Sequence, residues 1–133
     1  MGAFRGDGMI DHISIAVRDL AASAEFYQTV LATLGYAKLV DRPDTVGFGK
    51  KYPEFWLNHR PEMAQVAADC GVHVCVRAPS TAAVDAFHAA ALRGGATCDG
   101  APGFRPEYTQ NYYAAFIRDA DGNRIEAVTF VQA

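Results

Sequence analysis

Three residues of the sequence could together bind a divalent metal ion: His12, His73 and Glu126. Each histidine lies in a segment of alternating pattern, DHISIAV or VHVCV, in which every second residue is apolar and the histidine lies on the other face. Glu126 lies in RIEAVTF, residues 124–130, on a strand face that is otherwise apolar and where an unpaired carboxylate would be costly. Two imidazoles and one carboxylate suit Fe(II), Mn, Zn, Ni or Co and leave coordination positions open for water or a substrate.

A segment rich in glycine and proline supplies further candidates for catalysis and substrate binding. It reads GFRPEYTQN, residues 103–111, and leads into YYAAFIRD. A guanidinium can bind a carboxylate or phosphate through two hydrogen bonds, and a phenol can donate a proton or pack over a ligand. Arg105 and Tyr108 are therefore predicted to act with Glu126 in catalysis. The predicted substrate contacts are Arg105, Tyr108 and Tyr113, together with Trp56 in the first half of the chain, and Tyr112 is another possible proton donor. Each tyrosine could instead simply pack within its strand or loop.

An internal repeat gives the two histidines equivalent positions. Residues 11–34 and 72–95 superpose without a gap at a constant offset of 61, so that the histidines coincide. In each copy an alternating strand precedes a polar residue suited to cap a helix, Asp19 or Ser80, and apolar residues at helical spacing follow. Glycines end both helical patterns. Each copy therefore predicts a strand followed by a helix.

Three short strands are predicted after each helix, separated by Gly, Pro and Asp residues. The chain is thus predicted to be α+β, with βαβββ modules at residues 9–66 and 70–131 within a single domain of residues 9–133. The second module is longer by about nine residues, which fall within residues 99–111. Residues 1–8 show no periodicity and are interpreted as an N-terminal extension.

Composition narrows the classes of function. The chain has 133 residues, a net charge of -3 and no basic or acidic run, which argues against binding to nucleic acid or to a membrane surface. A small molecule therefore remains as the predicted binding partner. The three cysteines have no metal-finger spacing, and no apolar export segment begins the chain, so we expect a cytoplasmic protein with reduced thiols.

The segments DHISIAVRDLAASAEFY and GFRPEYTQNYYAAFIRDADGNRIEAV resemble the vicinal oxygen chelate superfamily, which includes glyoxalase I, extradiol dioxygenases, fosfomycin-resistance proteins and bleomycin-binding proteins. The resemblance covers residues 9–131. It implies that the two modules form a curved, cup-like mixed sheet around a divalent metal ion, with the helices on the outer face, and that the protein is a homodimer. Carried over position by position, the family's metal ligands fall on His12, His73 and Glu126, the same three residues.

One position departs from the family pattern. Some relatives, glyoxalase I among them, have a fourth protein ligand on the last strand of the first module, and by the repeat this position is Trp56. Because indole does not coordinate metal, the departure argues against glyoxalase I itself. It leaves a site of two histidines and one carboxylate, either within one chain or shared between two copies.

Two kinds of function are compatible with these residues. The first is a metal-dependent enzyme, an isomerase or lyase, a dioxygenase or a transferase, whose ion chelates adjacent oxygens of a small substrate. The second is a metal-free protein of the bleomycin-resistance type, which traps an antibiotic in an apolar cleft. The residues predicted to line that cleft are Trp56, Phe48, Phe116 and Phe130. The metal triad favours the enzyme, because such a cleft does not need these three residues together.

Overall fold

The computed structural model of the chain describes residues 6–132 and contains two copies of the same arrangement of elements. Residues 1–5 of the predicted extension lie outside the described residues, and residues 6–8 have no regular structure. The first copy contains β1 (Ile13–Val17), α1 (Leu20–Ala32), β2 (Ala37–Asp41), β3 (Thr45–Gly49) and β4 (Pro53–His59). The second contains β5 (Val74–Arg77), α2 (Thr81–Arg93), β6 (Thr97–Phe104), β7 (Tyr112–Arg118) and β8 (Arg124–Phe130). The predicted α+β fold of two βαβββ modules is confirmed.

Both modules have the same sheet topology. The strand orders are β1-β4-β3-β2 and β5-β8-β7-β6, and in each sheet the first pair is parallel and the others are antiparallel. Ile13 pairs with Phe55 as Val74 pairs with Ile125, so the register makes Trp56 the equivalent of Glu126. Each sheet is four-stranded, mixed and open, with its helix packed on one face. We call the other face of the second sheet its open face.

The buried core lies between the sheets and the two helices. Ile15 and Val17 of β1 are buried, and Val74 and Val76 of β5 pack against the same core, as their alternation predicted. The helices begin where the sequence indicated: the side chain of Asp19 accepts a hydrogen bond from the Ala22 amide, and Ser80 does the same for Ala83. Strand alternation turns Ser14 of β1, and Cys75 and Arg77 of β5, away from the core.

A buried cluster of polar side chains joins the two modules. Asp119, in the turn between β7 and β8, accepts a hydrogen bond of 2.6 Å from the hydroxyl of Tyr27 on α1. Asp121 lies 2.7 Å from the Arg18 guanidinium, and the Asn123 amide donates to the Ala16 carbonyl. Burial raises the pKa of Asp119, although hydrogen bonds, from Tyr27 first, oppose this. Both aspartates do more than form the turn that the sequence indicates.

Strand β6 is longer than its sequence indicates. The sequence predicts a strand only at residues 96–99, ATCD, yet pairing with β7 continues to Phe104, with register shifts on either side of Gly100. Because β6 is an edge strand, Pro102 can lie within it without breaking an internal hydrogen-bond ladder.

The three cysteines are free. Within residues 6–132, no helix has the length and apolar character needed to cross a membrane.

Candidate functional site

A pocket of about 580 Å³ opens on the second sheet. Its floor comes from the open face: His73 precedes β5, Phe116 lies on β7 and Glu126 lies on β8. Arg105 and Tyr108, from the segment that connects β6 to β7, complete its wall. The pocket therefore joins two of the predicted metal ligands to the segment predicted to select the substrate.

Glu126 is the most unusual residue of the pocket. Its side chain is only 2% exposed, and one carboxylate oxygen lies 3.0 Å from Nε2 of His73, whose side chain is 48% exposed. The hydroxyl of Tyr112 donates a hydrogen bond to the other oxygen. Among residues 6–132, no lysine or arginine forms a salt bridge or hydrogen bond with this carboxylate. A buried carboxylate is thus aligned by groups that carry no fixed positive charge.

Two weakly acidic groups lie beside this carboxylate and keep their protons. Burial raises the pKa of the Cys75 thiol to about 12, and the negative charge of Glu126, its partner in the β5–β8 register, adds to the effect. Burial also holds the pKa of Tyr112 far above its usual value, reinforced by the hydrogen bond to Glu126. At neutral pH both are hydrogen-bond donors rather than anions.

His12 lies apart from this pair within one chain. It precedes β1 in the other sheet, its side chain is 57% exposed, and its Nδ1 lies 2.8 Å from Asp11. Across residues 6–132, no three histidine, cysteine or acidic side chains are grouped closely enough to hold a metal ion. A single chain therefore brings together His73 and Glu126 but not the whole predicted triad.

The other two residues predicted to contact the substrate, Trp56 and Tyr113, lie in different modules. Trp56 lies on β4 of the first sheet, where the Arg42 guanidinium is 5.4 Å from the centre of its ring. Tyr113 lies on the helix side of β7, and its hydroxyl donates a 2.6 Å hydrogen bond to Asp85 on α2. Tyr112, the preceding residue, is the one that faces the pocket. Strand alternation explains the difference, since neighbouring side chains point to opposite faces.

The aromatic residues proposed for an apolar cleft are also separated. Phe48 is completely buried in the core and cannot line a cleft. Phe116 lines the pocket, and Phe130 packs edge-on against Tyr112, which in turn contacts Tyr108. Tyr108, Tyr112 and Phe130 therefore form a row of contacting rings next to the Glu126 carboxylate, which we call the aromatic rim.

An ionic group in the pocket, formed by Asp99, Arg118 and Arg124, was not predicted from the sequence. Asp99 on β6 lies 3.3 Å from Nε of Arg118 and 3.5 Å from Nε of Arg124. Arg124 also donates to the carbonyl oxygens of Cys70 and Ala68, which holds the chain before β5 against β8. Only the folded register brings these residues together, because more than 50 residues separate each carbonyl from the arginine.

Comparison with known proteins gives consistent results. The sequence model of the Glyoxalase/Bleomycin resistance protein/Dioxygenase superfamily matches residues 9–127. The chain is 32% identical to a glyoxalase/bleomycin resistance protein from Albidiferax ferrireducens, with a TM-score of 0.80 over 91% of this chain and 98% of that one. A family enzyme from Burkholderia phytofirmans is 20% identical, with a TM-score of 0.69 over 91% and 98%. A domain from Frankia is 18% identical, with a TM-score of 0.71 over 95% and 100%. No curated protein matches the sequence.

Proposed function

Because this chain belongs to the glyoxalase/bleomycin resistance protein/dioxygenase superfamily, we propose that it is a metal-dependent enzyme acting on a small oxygen-bearing substrate. Its metal ion would be held by His73 and Glu126 of one copy and by the partner subunit's His12. The substrate would bind in the adjacent pocket. The protein would accordingly work as a homodimer.

The burial of Glu126 carries this proposal. A carboxylate that is 2% exposed, paired with an imidazole and without a neighbouring lysine or arginine in the described chain, is strongly stabilised by a bound cation. Imidazole nitrogen and carboxylate oxygen are also ligands that borderline divalent ions prefer. The donor set of two imidazoles and one carboxylate therefore fits a divalent ion, with two ligands from the second module of one copy and one from the first module of the other.

A second copy supplies the missing ligand in the simplest way. His12 is exposed, and both Met9 and Ile10 before it are more than half exposed, as is Val72 beside His73. The strands β1 and β5, which follow the two histidines, each have an unpaired edge in their own sheet. A two-fold dimer that covers these apolar residues would bring the first module of one copy to the second module of the other.

In this arrangement each pocket residue has a defined task. A divalent ion held there would act as a Lewis acid toward adjacent oxygens of the substrate. Tyr112 keeps Glu126 oriented through its hydrogen bond, and Tyr108 at the rim can donate a proton to the substrate. Arg105 orients the substrate, while Phe116 provides an apolar floor. Trp56, as the counterpart of Glu126, would line the wall contributed by the first module.

Metal content and turnover test the proposal. Protein purified without chelator should contain about one divalent ion per chain, as expected for one complete site per half-dimer. We expect turnover of an α-oxo-thioester, a catechol or an epoxide with the native ion, and loss of that turnover on chelation. These probes represent lyase or isomerase, dioxygenase and transferase chemistry.

The same measurements address the alternative function. A protein that binds no metal and captures an antibiotic unchanged would be a sequestering protein, and the aromatic rim of Tyr108, Tyr112 and Phe130 is the feature that would serve it. Stoichiometric metal with chelator-sensitive turnover would exclude that function. Absence of bound metal after exposure to all five ions, Fe(II), Mn, Zn, Ni and Co, would contradict the enzyme.

A further inference from the structure

Arg105 is held in the pocket by contacts that leave much of its guanidinium available. Nη2 donates a 2.7 Å hydrogen bond to the Ala101 carbonyl, and the guanidinium carbon is 5.4 Å from the centre of the Phe116 ring. Its backbone is fixed as well, since its amide donates to the Tyr112 carbonyl and its carbonyl accepts from the Tyr108 amide. The side chain is thus oriented before any ligand binds.

Two glycines, Gly100 and Gly103, leave the space that the Arg105 guanidinium occupies. A Cβ atom at Gly100 would lie 2.8 Å from the Phe116 ring and 3.3 Å from Nη2 of Arg105, and one at Gly103 would lie 3.2 Å from Nη1. Larger residues there would displace the ring or the guanidinium. The absence of side chains on this part of β6 is therefore what lets Arg105 lie across the strand and over Phe116.

Arg105 also lacks an acidic partner. Among residues 6–132, its hydrogen bonds go only to backbone carbonyls, and the one aspartate of the pocket, Asp99, is engaged by Arg118 and Arg124. A guanidinium in a pocket normally pairs with a carboxylate or phosphate when one is near. The pocket therefore presents a positive group whose counter-ion is not part of the described chain.

Phe116 lies close both to the Arg105 guanidinium and to His73, one of the proposed metal ligands. Its ring centre lies 5.4 Å from the guanidinium carbon of Arg105 and 6.3 Å from the centre of the His73 ring. A ligand lying along this ring would have one end at the guanidinium and the other at His73 and Glu126. The spacing suits a small molecule with an apolar body and an oxyanion at one end.

We propose that Arg105, positioned by Gly100 and Gly103, is the recognition site for a carboxylate group of the substrate, whose apolar body packs on Phe116. The substrate is then a small organic acid that presents its reacting oxygens to the other end of the pocket. This inference rests on the proposed function only in taking this pocket as the substrate pocket. A planar carboxylate can accept two parallel hydrogen bonds from a guanidinium, which a neutral amide of the same shape cannot do as well.

Binding of benzoate and of its neutral analogue benzamide tests the proposal. Both are titrated into the full-length protein in the presence of a chelator, so that no metal ion contributes, and chemical shifts of backbone amides report the binding. Native protein should prefer benzoate, and Arg105→Gln should weaken benzoate by about tenfold while leaving benzamide unchanged. Equal affinity of native protein for the two compounds, or unchanged benzoate affinity in Arg105→Gln, would overturn the proposal.

A matched pair of glycine variants tests whether benzoate binding depends on the position of the Arg105 guanidinium as well as on its charge. Gly100→Ala should weaken benzoate as Arg105→Gln does, because the new methyl group displaces Phe116 or the guanidinium while the charge remains. Gly8→Ala is the control: Gly8 does not line the pocket and a Cβ there meets nothing within 4 Å, so benzoate affinity should stay native. Native benzoate affinity in a folded Gly100→Ala protein would contradict the positioning role. If Gly100→Ala does not fold, Arg105→Gln decides the proposal alone.

The two proposals fail in different ways. Loss of benzoate preference with stoichiometric metal binding intact would reject the carboxylate site and leave the metal-dependent enzyme standing. Benzoate preference that depends on Arg105, in a protein that binds no metal, would reject the enzyme and retain the carboxylate site. The chelator in the titration makes this separation possible.

Discussion

Replacing Glu126 with Gln should weaken the binding of a divalent metal ion by about 100-fold or more, because it removes the one negatively charged donor of the half-site. The fold should persist. A glutamine amide has almost the same shape, its oxygen can accept the Tyr112 hydrogen bond, and its nitrogen can donate to His73. Competition with a chromogenic chelator measures the dissociation constant of Zn, Mn, Ni or Co.

Glu107→Gln is the matched control for this substitution. It makes the same chemical change at an exposed residue of the segment that follows Arg105. Metal affinity of this control should equal that of the native protein. Native affinity in the Glu126→Gln protein would show that the carboxylate is not a ligand, and its burial would then need another explanation.

Among single substitutions in the buried polar cluster that joins the two modules, Asp119→Ala should cause the largest loss of stability. Its carboxylate accepts hydrogen bonds from the Tyr27 hydroxyl, the Asp121 amide and both the backbone and side-chain nitrogens of Asn123. Removing it leaves the completely buried Tyr27 hydroxyl without its acceptor. We expect the free energy of unfolding to fall by about 3 kcal/mol or more, measured by urea denaturation at fixed protein concentration.

Two further variants define how this stability arises. Tyr27→Phe removes one donor but leaves the acceptors of the turn satisfied, so the loss should be about 1 kcal/mol. Asp69→Ala, at an exposed turn residue, should change the free energy of unfolding by less than about 0.5 kcal/mol. A loss for Asp119→Ala no larger than for Asp69→Ala would mean that the cluster does not hold the modules together.

Local patterns in the sequence were sufficient to predict the architecture. The alternation in β1 and β5 gave the buried faces, and Asp19 and Ser80 marked the helix starts, because strand faces and helix caps depend on residues close together in the chain. The repeat then gave the order of elements in the second module from the first. The same alternation placed Glu126 on the open face beside His73.

Long-range contacts could not be predicted in this way. Tyr27 and Asp119 are 92 positions apart, and a DADGN segment has the same local pattern whether or not its aspartate is buried. Pocket-facing Tyr112 could not be distinguished from Tyr113 before the β7–β8 register was known. The extension of β6 was missed because Pro102 and the nearby glycines usually indicate a loop, and only pairing along a sheet edge permits them.

Mixing two inactive variants tests most directly whether the proposed metal site is shared between copies. His12→Ala lacks the ligand of the first module and Glu126→Ala a ligand of the second, so neither protein alone should bind the ion tightly. After subunit exchange, about half of the dimers would contain both variants, and each would have one complete site, giving about one quarter of native metal content. A mixture of His73→Ala and Glu126→Ala is the control and should recover none, since both ligands belong to the same half-site. Recovery near one quarter in the first mixture alone is the result that we predict, whereas no recovery after demonstrated exchange, or full metal binding by His12→Ala alone, would contradict a site completed by the partner subunit.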